Sequence, residues 1–386
     1  MVIRTRNTNI SVAWAAVALL LASCSGSGVA GDEGLETGSG GAGGDSSGKG
    51  SGKGGDDDDG ASVTVGTASG GAACNTAGCF TANPTPCDDN LALDDGNATN
   101  AAKAIGICAT AATDGFGLME ARWVRANGDL AAASPQVGIL GSFGSEGAPL
   151  EGTRILGLSS GHARVPGQPD ACDSESCEGL AGIAPPGFPQ DVPNCAGGED
   201  IGDDIGLEVR LKAPSNATGF KYRFRFYSFE FPEYVCTAFN DQYVALVNPP
   251  PAGAINGNIS FDSATNPVSV NIAFFDVCSG CQPWAENCEV ESLFDPSVIC
   301  PPVPTPCCPA GPSGLVGTGF DSWTSGGAGA TTWLETQAPV TPGQEFTIRF
   351  AIWDTGDRAL DSTAVLDGFE WLGTPGVNTG TGQVPN

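Results

Sequence analysis

Residues Phe220-Lys-Tyr-Arg-Phe-Arg-Phe-Tyr-Ser228 put an aromatic ring at every second position from Phe220 to Phe226, with a cation between successive rings. Side chains on an extended strand alternate between two faces, so this run predicts a sheet with one buried face and one wet face. Similar strand patterns occur at 206–212, 242–247, 269–275, 345–353 and 364–371, with Asn248-Pro-Pro-Pro251 and Thr341-Pro-Gly343 among the breaks. One helix is predicted over Asn100 to Cys108, with Asn97 or Asn100 as its cap. Many strands and one short helix predict a mainly β chain, a jelly-roll-like β-sandwich.

The N-terminus predicts where that sandwich resides. Arg4 and Arg6 precede an uncharged apolar run from Val12 to Leu21, which is too short to span a bilayer. It ends in Leu21-Ala-Ser-Cys24, the lipobox pattern of a bacterial lipoprotein signal peptide over residues 1–23. Cys24 is then the expected lipidation site, and several acyl chains would anchor the chain without a spanning helix. Ser25, rather than Asp, follows the cysteine and favours the outer membrane or cell surface.

The remaining fourteen cysteines are Cys74, Cys79, Cys87, Cys108, Cys172, Cys177, Cys195, Cys236, Cys278, Cys281, Cys288, Cys300, Cys307 and Cys308. An even number in an exported chain predicts disulfides, whose connectivity the sequence does not fix. The neighbours Cys74/Cys79, Cys172/Cys177, Cys278/Cys281 and Cys307/Cys308 suggest loops stapled to each other or to the core. A zinc site on Cys278-Ser-Gly-Cys281 lacks a second CxxC, and His162, the one histidine, is distant in sequence.

The chain carries a formal charge of -28; without residues 1–23 it has 14 basic and 44 acidic side chains. Such an acidic surface disfavours nucleic acid as a partner. Residues 24–73 are rich in Gly, Ser and Asp and have hardly any large apolar side chains, so a disordered tether is expected. Within it, Asp56 to Asp59 lack the ligand spacing of a calcium loop and read as a solvated charge run. Residues 74–373 have the composition of one large domain, and 374–386 read as a flexible tail.

Two loops after patterned strands concentrate oxygen-bearing side chains. One holds Glu230, Glu233, Asn240 and Asp241; the other holds Asp354, Asp357 and Asp361. If they meet at one end of the sandwich, these seven residues could ligate calcium, which takes six to eight oxygens at about 2.3–2.6 Å. They could equally satisfy turn amides.

The first loop, with its Glu230-Phe-Pro-Glu-Tyr-Val235 and Phe239-Asn-Asp241 motifs, resembles the signature of the choice-of-anchor L domain. So does Phe350-Ala-Ile-Trp-Asp-Thr-Gly-Asp-Arg-Ala-Leu-Asp-Ser362, with Leu366-Asp367 after it. Segments 101–108 and 154–161 resemble the versions carried by myxobacterial lipoproteins, and the likeness runs from about Cys87 to Leu372. It implies an extracellular β-rich module on a bacterial surface, without assigned catalytic residues. The expected role is adhesion or binding of an extracellular carbohydrate or protein, with calcium as a structural ion.

The alternative is a carbohydrate-active hydrolase using carboxylates of the 228–241 and 351–362 loops, which requires two carboxyls facing a sugar cleft. Tyr227, Tyr234, Trp284 and Trp353 could stack on sugars if exposed, although such residues are more often core. Gly157-Leu-Ser-Ser-Gly161 matches the nucleophile-elbow pattern, but His162 is badly placed to act as base for Ser159. A strand followed by a turn is the simpler reading there, and no catalytic residue is expected.

Overall fold

The computed structural model describes residues 78–81, 85–271, 274–278, 308–321 and 327–384. The signal-like segment, Cys24, the tether with Asp56 to Asp59, Cys74, Trp284, Cys281, Cys288, Cys300 and Cys307 lie outside the described residues. Helix α1 (Ala98–Ala104) is capped by Asn97, whose side chain accepts the amides of Thr99 and Asn100, and a single further turn forms α2 (Ala111–Asp114).

The strands are β1 (Gly117–Val124), β2 (Val137–Leu140), β3 (Ile155–Ser159), β4 (Ile201–Lys212), β5 (Gly219–Ser228), β6 (Gln242–Asn248) and β7 (Val268–Ser269). They continue with β8 (Phe275–Cys278), β9 (Gly329–Thr331), β10 (Leu334–Pro339), β11 (Glu345–Thr355), β12 (Ser362–Leu372) and β13 (Gly380–Gln383). One antiparallel sheet has the order β1-β4-β11-β6-β7; the other runs β13-β10-β5-β12-β3-β2, with β9 joining β5 and β8 joining β9. The fold is mainly β, as expected, and its two sheets form a β-sandwich.

The alternating rings of β5 explain why the sheets stack. Phe220, Tyr222, Phe224 and Phe226 are all buried and belong to one core with Phe346, Ile348, Phe350 and Ile352 of β11 and Leu207 and Val209 of β4. Phe220 stacks on Phe346 at 5.5 Å between ring centroids, and Tyr222 meets Phe350 edge-on at 5.0 Å. Phe224 lies 4.8 Å from Tyr243 of β6. Such pairs add about 0.5–1.5 kcal/mol beyond the area they bury.

The other face of β5 is not the wet face its cations predict. Lys221 and Arg223 pair with the buried Glu335 of β10, at 3.3 and 2.9 Å. Arg225 and Tyr227 are covered by a second apolar cluster containing Phe143, Leu315 and Phe320. Long connections fold over this face, which a strand's own pattern does not reveal.

Two further expectations change. Residues 269–275 do not form one strand: β7 ends at Ser269 and β8 starts at Phe275. The segment from residue 374 includes β13, which pairs with β10 from Gln337↔Gly380 to Leu334↔Gln383. Its Gly-rich sequence hid the pairing, because backbone hydrogen bonds supply it. The bonded cysteine pairs are Cys87–Cys108, Cys172–Cys177, Cys195–Cys236 and Cys278–Cys308, and Cys79 is also disulfide-bonded. Cys278 therefore does not pair with its neighbour Cys281. Strand β8 is held against residues 310–311 by Ala310 N donating to Asp276 O and Cys278 N donating to Gly311 O, which brings Cys308 to it.

The inter-sheet rings should dominate stability. Phe350→Ala is expected to cost about 3–5 kcal/mol in urea unfolding. Arg210→Ala, which removes an ion pair to Glu345 with both side chains about half exposed, should change it by less than about 1 kcal/mol.

Candidate functional site

At one end of the sandwich the interior changes from apolar to acidic. Strand β5 ends at Ser228, where the chain turns into the 229–241 loop; Ser228 Oγ accepts Glu230 N at 3.0 Å. Glu230 closes that loop by accepting Asp241 N at 3.2 Å through Oε2. Asp241 then joins three segments: Oδ1 accepts Thr355 N at 3.1 Å, and Oδ2 accepts the Ser362 hydroxyl at 2.6 Å. Thr355 ends β11 in one sheet and Ser362 starts β12 in the other, so Asp241 ties the two sheets together at this end. Asn240 is buried beside it, and its Oδ1 accepts Asn271 N at 3.1 Å.

Asp354, the penultimate residue of β11, is fully buried. Neither of its carboxylate oxygens accepts a hydrogen bond among the described residues. Ser160 lies beside it, but the Ser160 hydroxyl donates to Ser362 O. Asp361 accepts Cys177 N at 3.0 Å through Oδ2, and among the described residues its Oδ1 has no donor. Gly161 permits that approach, because a Cβ there would overlap the Asp361 carboxylate.

Of the seven residues predicted as ligands, Glu230, Asn240, Asp241, Asp354 and Asp361 come together in the interior. The other two do not join them: Asp357 is exposed in the β11–β12 turn, where it accepts Ala359 N, and Glu233 is half-buried in its loop. Asp367, which the resemblance also singled out, instead accepts the amides of Leu150, Glu151 and Gly368 and anchors the 150–151 segment.

The sequence reading missed Asp203 and Asp204. The pairing of β4 with β11 shifts register between Ile352↔Ile205 and Asp354↔Gly202, leaving one extra residue on β4. Such a bulge re-aims side chains. Asp203 has φ +53° and is fully buried; its Oδ1 accepts the amides of Gly179 and Leu180, and among the described residues Oδ2 has no donor. Asp204 accepts Ala126 N and faces Arg125 at 3.5 Å. Two adjacent acids preceding an apolar strand were the available signal.

Burial raises the pKa of every member, with neighbouring carboxylates adding to it. Glu230, Asp241 and Asp354 are held well above the usual carboxylate range; for Asp354 the Asp241 and Asp361 charges come next after burial. Asp361 is pushed up to about 7, and burial raises Asp203 as well, the amides of Leu180 and Gly179 offsetting part of its shift. Among the described residues no Lys, Arg or His pairs within 4.0 Å with Glu230, Asp241, Asp354, Asp361 or Asp203.

Ser159 is buried and donates to Ser362 O at 3.0 Å. His162 faces Asp170 O and Glu178 instead of Ser159. Tyr227 and Trp353 are core residues and offer no sugar-stacking face. A cavity of about 90 Å³ lies elsewhere, lined by Phe80, Phe116, Phe369 and Trp371 among others and by none of these acids.

The molecule is thus a disulfide-stapled β-sandwich whose paired loops meet in a buried acidic end. The chain belongs to the choice-of-anchor L domain family, whose model matches residues 140–369. That match spans the acidic end but not α1 or β13. Neither the curated proteins nor the solved structures contain a match.

The raised pKa values set a direction for pH. The folded state holds protons on these groups that the unfolded chain releases near pH 4, so their contribution to stability is complete below that pH. It is lost as pH rises toward the folded value, about 7 for Asp361. In chelator, the melting temperature should therefore fall between pH 5 and pH 8. Asp354→Asn should reduce that fall; an unchanged slope would show that folding does not raise the Asp354 pKa.

Proposed function

We propose that this chain is a lipid-anchored lipoprotein of a bacterial envelope, held at the outer membrane or cell surface by acylated Cys24. Residues 25–73 serve as a tether, and the sandwich is the displayed part. Membership of the choice-of-anchor L family carries this reading, because that domain points to a cell-surface protein. Four described disulfides support it, since such bonds persist in oxidising compartments outside the cytosol. Among the described residues no helix is long and apolar enough to cross a membrane.

The displayed domain serves adhesion or binding of an extracellular carbohydrate or protein, and the acids of the 228–241 and 351–362 loops hold a structural calcium ion. All the donors are hard oxygens, which suits calcium, and its loose geometry suits ligands from irregular loops. With calcium bound, the charges that destabilise the domain at neutral pH become its ligands.

The anchoring is tested by metabolic labelling with a radioactive fatty acid. The wild-type chain should incorporate label and sediment with membranes, whereas Cys24→Ala should do neither. Calcium in excess over chelator at pH 8 should raise the melting temperature by several degrees, magnesium by much less, and Asp354→Asn should abolish the rise. A label-free wild-type chain would remove the lipid anchor, and an unmoved melting temperature would remove the calcium ion.

A further inference from the structure

Of the four described disulfides, Cys172–Cys177 closes the shortest loop: its cysteines stand 5 residues apart, against 21, 41 and 30 for the others. A cross-link over so short a span constrains the unfolded chain least, so it stabilises the domain least. Its surroundings also set it apart. Among the described residues, the single group of three His, Cys, Asp or Glu ligand atoms within 4.8 Å of one another is formed by the sulfurs of Cys172 and Cys177 and a carboxylate oxygen of Asp361. Asp361 is buried, and its Oδ1 has no donor among the described residues. The two cysteines are half-buried, while Asp173 and Ser174 between them are exposed, so a small reductant can reach the bond.

The loop is also held in place by contacts other than its disulfide. Cys177 N donates to Asp361 Oδ2 at 3.0 Å, and Asp361 N donates back to Glu175 O at 2.7 Å. Leu360 N donates to the Ser176 hydroxyl at 2.8 Å. These bonds fasten residues 175–177 to the chain just ahead of β12 and keep Cys177 beside Asp361 when the sulfurs part.

Reduction by a dithiol breaks the sulfur–sulfur bond: two electrons and two protons pass to Cys172 and Cys177, and the reductant leaves as its own disulfide. Zinc then displaces the two thiol protons. Around a tetrahedral zinc, with Zn–S about 2.3 Å and Zn–O about 2.1 Å, ligand atoms lie about 3.6–3.8 Å apart. That spacing falls inside the 4.8 Å limit the three atoms already meet. Two thiolates select zinc over calcium or magnesium, and the neighbouring Asp173, Glu175 and Glu178 add negative charge that favours a cation.

We propose that Cys172, Cys177 and Asp361 form a redox-gated zinc site, closed while the disulfide stands and opened when a dithiol reduces the pair, with water as the fourth ligand. The site draws only Asp361 from the acidic end and stands independently of the calcium reading.

The test reduces the full chain in detergent with a dithiol, removes the dithiol under nitrogen and titrates zinc chloride against a chromogenic chelator. Reduced wild-type chain should bind one zinc ion more than Cys172→Ser/Cys177→Ser treated alike, and the oxidised chain should show no such excess. Asp361→Asn should weaken that ion by about tenfold or more. On the wild-type chain alone, where no variant has to fold, zinc should protect Cys172 and Cys177 from iodoacetamide, read by peptide mass spectrometry. Equal zinc uptake by the wild-type chain and the double variant, or equal alkylation of the two cysteines with and without zinc, overturns the site. Undiminished affinity in Asp361→Asn overturns the carboxylate ligand, and the same excess in the oxidised chain overturns the gating. The effect of calcium on melting temperature is read on the oxidised chain, so either reading can fail without the other.

Discussion

Rings from β5 pressed between the sheets are the contact on which everything else in this domain rests. Phe220, Tyr222 and Phe224 each meet a ring from the opposite sheet, on Phe346, Phe350 and Tyr243. Because side chains alternate along a strand, a slip of one residue would exchange these rings for Lys221, Arg223 and Arg225, so the apolar core fixes the register of β5. That register brings Ser228 opposite Ser362 and so defines where the acidic loops begin.

The acidic end follows from the same geometry. β11 and β12 lie in different sheets, and their connection crosses from one to the other at the end of the core. Residues flanking it, Asp354 and Asp361, are drawn inward with the strand ends, and Asp241 bonds to both sides. A carboxylate in that position cannot be solvated, so it must be protonated, hydrogen-bonded or paired with a cation. Asp241 takes the hydrogen-bonded course, whereas Asp354 has no hydrogen-bond donor among the described residues.

Much of this was legible in the residues. Strands β4, β5, β6, β11 and β12 fall within a few residues of their patterned segments, and the Asn97 cap is one of two expected. The motif loops supply five of the buried polar residues. Asp357 and Glu233 look equivalent to them in sequence but stay near the surface, because a turn exposes its tip and buries its flanks. The inward position of Asp203 was not legible because it sits in a β-bulge, and a bulge depends on pairing with a partner strand about 150 residues away. The covering of Arg225 and Tyr227 and the Cys278–Cys308 bond were hidden for a related reason: both depend on where a distant segment lands.

The sequence by itself determined the class of fold, the strands that carry the core and the loops that carry the acids, since alternation and turn chemistry act between near neighbours. Which acids meet, which keep an undonated oxygen and which disulfide-closed segment lies across them were decided by the tertiary structure alone. Those relations are set by the stacking of two sheets and by the one-residue bulge in β4, and neither is encoded within any single stretch of chain.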